Sequence, residues 1–101
     1  MGNTDYSYGK DIILDFSNCK TLGEVHQLIK LKLKLPEFYG CNLDALWDSI
    51  TGLMYVPANI KIIFKPTTAE AQKLSDETLK IIDVFKEAEW EYGQIKLTVE
   101  K

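Results

Sequence analysis

The chain predicts an α/β fold in which a three-stranded parallel sheet packs against helices. Three observations lead there. Short β-branched apolar runs recur at Asp11–Phe16, Ile60–Lys65 and Gln94–Val99. The stretches between them carry apolar residues at helical spacing, and strands joined through helices are usually parallel with right-handed crossovers. At 101 residues, with 46% hydrophobic and 27% charged residues, the chain can bury one core without staples, so a single soluble domain is expected.

Residues 1–10 are polar and contain glycine, which predicts a flexible N-terminal extension ahead of a domain spanning 11–101. The first run, D-I-I-L-D-F, reads as a strand buried on both faces. Thr21 with Glu24 three residues later is a capping box that opens a helix. That helix buries Leu22, Val25, Ile29 and Leu33, and Pro36 ends it. After the second strand Pro66 breaks the pattern, and Thr68–Leu74 forms a short helix. Ser75 is placed to cap a longer one, running to about Trp90 with Leu79, Ile82 and Phe85 inward and Asp76, Lys80, Asp83 and Glu87 outward. Gly93 stops it before the third strand.

Between the first two strands lies a second, shorter helix. Asn42 is a good N-cap, and Gly52 is a good stop. Leu43, Leu46, Trp47 and Ile50 form one apolar stripe, which assigns Trp47 to the core with its indole edge toward the surface. Asp44, Asp48 and Thr51 line a different face. Two carboxylates at i, i+4 repel and give the helix nothing. No cation occurs between Lys34 and Lys61, while Glu37, Asp44 and Asp48 all lie there, beside Phe38, Tyr39 and Tyr55. On spacing alone this is either a solvated helix face or an acidic, aromatic docking surface for a basic protein.

Other classes fit poorly. Net charge is -3, and all twelve basic residues are Lys, so the bidentate Arg reader of phosphate or guanine is missing and nucleic acid is not an expected partner. Cys19 and Cys41 match no metal-ligand spacing, and the acidic residues match no calcium loop; no metal or cofactor is expected. His26, the one histidine, lies beside an apolar stripe with no nucleophile at a recognisable spacing, which reads as structural. An enzyme is not expected. The polar N-terminus shows no secretory signal and no apolar run reaches membrane-spanning length, so a cytoplasmic protein without a membrane partner is expected.

The stretch L-P-E-F-Y-G-C-N-L-D-A-L-W-D-S-I-T-G, Leu35–Gly52, resembles the signature of the barstar family, intracellular inhibitors of barnase-type ribonucleases. V-H-Q-L at 25–28 and V-F-K-E-A at 84–88 extend the resemblance at matching offsets, so it covers roughly Asp11–Val99. The resemblance implies a barstar-like fold, with the three-stranded parallel sheet derived above. It also implies that the acidic helix and the turn before it plug a nuclease active site, mimicking RNA phosphates.

Carried over residue by residue, Asp48 is the central carboxylate and Asp44 reinforces it. Thr51 and Gly52 contact a nuclease loop, and Glu87 is a peripheral acidic contact. Phe38 stands where the family commonly has a Tyr over the catalytic histidine, with Tyr39 the next ring. Asn42, Trp47 and Leu53 complete the implied surface. Phe38 lacks the hydroxyl, Cys41 replaces an acidic residue and Leu53 replaces a Trp. The expected partner is therefore a basic, barnase-like ribonuclease bound by a chain that is monomeric when free. The alternative is a barstar-like adaptor for a different protein.

Overall fold

In a computed structural model the described residues are 10–53, 58–92 and 95–101. The element order is β1 (Lys10–Asp15), α1 (Leu22–Leu33), α2 (Leu43–Asp48), β2 (Ala58–Ile63), α3 (Ala69–Lys73), α4 (Ser75–Tyr92) and β3 (Ile95–Glu100). The strands form one parallel sheet in the order β1-β2-β3, with Ile12 beside Ile60 and Ile60 beside Leu97. This is the α/β architecture the sequence predicts. Of the expected extension over residues 1–10, residues 1–9 lie outside the described residues, and Lys10 belongs to β1.

Each strand starts or stops a residue or two from its expected bounds. The ladder still reaches past two of them: the Phe16 amide donates to the Ile63 carbonyl at 2.8 Å and the Phe64 amide to that of Glu100 at 2.9 Å. In a sheet ordered β1-β2-β3, crossovers of one hand deliver both sets of helices to the same face. Burial follows that rule. Leu14, Ile60, Ile62 and Ile95 are buried on the covered face with Val25, Ile29, Leu46, Ile81, Ile82 and Phe85 from the helices.

The other face corrects the reading of β1 as buried on both sides. Asp11 and Asp15 are exposed there, and Ile13 between them keeps 53% of its surface exposed. Two β-branched neighbours on one strand therefore meet opposite environments, because alternate side chains point to opposite faces. Lys61 and Lys65 pair with Glu100 at 3.6 and 3.4 Å on this part-exposed side.

Local chemistry sets the helix ends. The Thr21 hydroxyl accepts the Glu24 amide at 3.1 Å, and Glu24 reaches back to the Lys20 amide at 2.8 Å, one residue earlier than a standard capping box. Lys34 closes α1 in the left-handed region with φ 55°. Its amide donates to Leu31 and the Leu35 amide to Lys30, a Schellman closure that turns Leu35 into the core. Thr68 caps α3 through the Ala71 amide. Ser75 does not cap α4; it is the first helical residue, and the Leu74 carbonyl takes the Thr78 amide instead. The expected Gly93 stop lies outside the described residues.

The one-sided sheet makes a direct prediction. Leu14→Ala destabilises by about 3 kcal/mol through its cavity, whereas Ile13→Ala costs less than about 1 kcal/mol. Urea denaturation of both variants measures the difference.

Candidate partner-binding surface

The surface is built on α2, a six-residue helix whose N-terminus is set by Asn42. The Asn42 carboxamide oxygen accepts the Ala45 amide at 2.7 Å, and its NH₂ donates to the Gly40 carbonyl at 3.3 Å. One side chain thus caps the helix and folds the preceding turn onto it. The turn is tight: a Cβ at Gly40 would stand 3.2 Å from that of Ala45. Cys41 adopts φ 53°, a left-handed conformation that costs a non-glycine residue about 1 kcal/mol.

Leu46 and Ile50 bury fully, and α2 packs on α4. Trp47 is half-buried and packs against the core, as expected of a core residue with its indole edge toward the surface, whereas Leu43, the first member of the expected stripe, is exposed. The α-helix also ends sooner than Gly52. Beyond Asp48 the backbone widens into a single π-helical turn, Ser49–Leu53, so Gly52 lies within the turn and is not a helix stop. The Thr51 hydroxyl donates to the Trp47 carbonyl at 2.6 Å across this junction, a side-chain bond that competes with the α-helical ladder.

Asp44 and Asp48 are exposed, and neither takes part in an ion pair among the described residues. Glu37 differs, because Lys30 reaches it at 3.1 Å. Phe38 projects with 81% of its surface exposed, and Glu87 is exposed on α4. Tyr39 turns the other way. It is 7% exposed, so the expectation that its ring meets a partner gives way to a structural role. The sequence could not separate the two rings, since a turn has no fixed side-chain period.

The partner of Tyr39 is His26. The imidazole is 2% exposed, and its Nδ1 lies 2.7 Å from the Tyr39 hydroxyl. Burial lowers the His26 pKa and raises that of Tyr39, with the nearby Cys41 adding to the latter. The structural reading of His26 therefore gains a specific content: it holds the turn before α2 to α1 from inside. Among the described residues no cluster of three or more metal-ligating side chains is found, and no helix is long and apolar enough to cross a membrane. Both cysteines are free thiols.

The family profile described as "Barstar (barnase inhibitor)" matches residues 10–100. The chain belongs to the barstar family. A relative is YrdF of Bacillus subtilis (strain 168), named as a candidate ribonuclease inhibitor. It is 30% identical over 92 residues, which cover 90% of this chain and 99% of the relative. The matched range takes in Asn42, α2 and Glu87.

Burial of His26 fixes a pH dependence. The unfolded chain protonates His26 near its ordinary value of 6.5, while the folded chain keeps it neutral to lower pH. The unfolded state then binds more protons, so stability present above pH 6.5 declines as pH falls through it, until the folded imidazole protonates in turn. His26→Gln flattens that segment of the curve, and Tyr39→Phe costs about 1 kcal/mol at neutral pH. Chemical denaturation at a series of pH values tests both.

Proposed function

We propose that this chain inhibits a basic, barnase-like ribonuclease by laying α2 and the Phe38 turn over the enzyme's active site. The observation that carries the reading is the pair Asp44 and Asp48, one helical turn apart, exposed and without a cation among the described residues. A surface that only needed solubility gains nothing from that repulsion. A nuclease site preorganised for polyphosphate does: its fixed cations attract carboxylates wherever they are held at a suitable spacing. Asp48 takes the place of an RNA phosphate, and Asp44 adds to its field.

Phe38 is the outward ring, stacking on the enzyme where a Tyr would otherwise do so. Asn42 shapes the turn, while Trp47 backs α2 from its half-buried position. Thr51, Gly52 and Leu53 present the π-helical turn to an enzyme loop, and Glu87 contributes at the periphery. The family description as barnase inhibitors and the relative's name support this role. Charge complementarity of this kind speeds encounter more than it adds affinity, and barnase with barstar is itself the standard illustration of it. The inhibitor works in the cytoplasm as a monomer, guarding the cell against a nuclease destined for export. A second reading, an adaptor for a non-ribonuclease partner, draws on Phe38, Cys41 and Leu53, which differ from the family pattern at positions of the implied contact surface.

The deciding experiment is titration of a small basic microbial ribonuclease with the chain at low and high salt. Inhibition is stoichiometric, and association slows as salt screens the acidic face. Asp48→Ala weakens inhibition by at least about thirtyfold, and Glu70→Ala on α3 changes it by less than about twofold. Equal losses from the two substitutions would remove the phosphate-mimic mechanism. Absence of inhibition across several such enzymes favours the adaptor.

A further inference from the structure

Residues from three helices and one turn line a half-open cleft of about 230 Å³: Leu22 and His26 from α1, Cys41 and Leu43 at the start of α2, and Glu77 and Lys80 from α4. Its walls combine four kinds of chemistry. Leu22 and Leu43 supply apolar surface. Glu77 and Lys80, both exposed and three residues apart on α4, supply one anion and one cation, neither in an ion pair among the described residues. Cys41 supplies an exposed free thiol.

The fourth contribution comes from His26. Its Nδ1 is taken by Tyr39, and no other partner is present among the described residues. No fully enclosed side-chain nitrogen or oxygen lacks a partner among those residues. The unpartnered Nε2 of this otherwise buried ring is therefore the atom that opens onto the cleft it lines. A nucleophilic sulfur, a single hydrogen-bonding nitrogen and a split pair of charges match a small zwitterion that carries sulfur.

We propose that the cleft is a modification site, in which Cys41 forms a mixed disulfide with a low-molecular-weight amino-acid thiol whose ammonium faces Glu77 and whose carboxylate faces Lys80. The modifying reagent is the amino-acid disulfide, which is also the oxidant. The Cys41 thiol loses its proton, its sulfur bonds to one sulfur of the reagent, and the reagent's S–S bond breaks. The second half leaves as a thiolate that takes up a proton, so atoms and electrons balance. A free thiol reverses the step by the same exchange.

Cys19 is the internal control. It is half-buried, and burial, then Glu24 and Asp15, push its thiol pKa up, which leaves less of the reactive thiolate. The site stands whether or not the chain inhibits a ribonuclease, since it uses neither Asp44 nor Asp48.

The test treats the full chain with cystine and, separately, with bis(2-hydroxyethyl) disulfide, which bears no charge, at mildly alkaline pH. Mass spectrometry of the intact protein and its peptides follows the adduct with time. Both rates are normalised to the urea-unfolded chain, which removes the reagents' intrinsic difference. One cysteinyl group appears at Cys41, is absent from Cys41→Ser, and forms about fivefold faster than the neutral adduct after normalisation. The preference disappears in the Glu77→Gln/Lys80→Gln double variant, whose fold is checked by circular dichroism. Equal normalised rates for the two reagents in the unsubstituted chain would overturn the proposal, as would modification of Cys19 ahead of Cys41.

Discussion

The hydrogen bond between the Tyr39 hydroxyl and His26 Nδ1, 2.7 Å long and closed off from solvent, is the point from which the turn before α2 hangs. Tyr39 lies in a turn whose backbone costs energy, since Cys41 sits in the left-handed region, and a side chain at Gly40 would press on Ala45. A loop of that kind holds its shape only when surrounding contacts over-determine it. The buried ring of Tyr39 and its bond to α1 supply one such contact, and Asn42 supplies another by joining the turn to the first turn of α2. Removing either tether leaves the strained turn free to relax, and Phe38 and Asp44 move with it.

The charge arrangement has the same economy. Twelve lysines are spread through the chain, yet none falls between residues 35 and 60, where the two helix carboxylates stand unpaired among the described residues. Lys30 approaches the segment and is matched to Glu37, so it does not neutralise α2. A short helix with like charges a turn apart is poor at holding itself together. It persists because Leu46 and Ile50 are packed into the core and α2 rests on α4. Tertiary burial thus maintains a charge pattern that the helix alone would resist.

A sheet covered on one side gives this arrangement its platform. Both crossovers run in the same direction, so α1 through α4 share one face and contribute to a single core. The opposite face is kept compatible with water by Asp11, Asp15, Lys96 and Thr98, with Ile13 left among them. At the β3 edge the Glu89 carboxylate accepts the Leu97 amide at 2.8 Å, closing a backbone donor that would otherwise invite another strand.

Periodicity and local chemistry determined the element order, the parallel sheet, the Thr21 and Asn42 caps and the acidic face of α2, because each depends on residues a few positions apart. The matched signature from Leu35 to Gly52 carried the family in the same way. Long-range packing decided the rest. Only the tertiary structure shows that β1 is open on one side, since coverage depends on where the crossovers return. It also separates Phe38 from Tyr39, adjacent rings sent outward and inward by a turn without a period. It seats His26, thirteen residues from Tyr39, against that hydroxyl, and gathers α1, α2 and α4 around Cys41. Those contacts join residues distant in sequence, and no local pattern encodes their meeting.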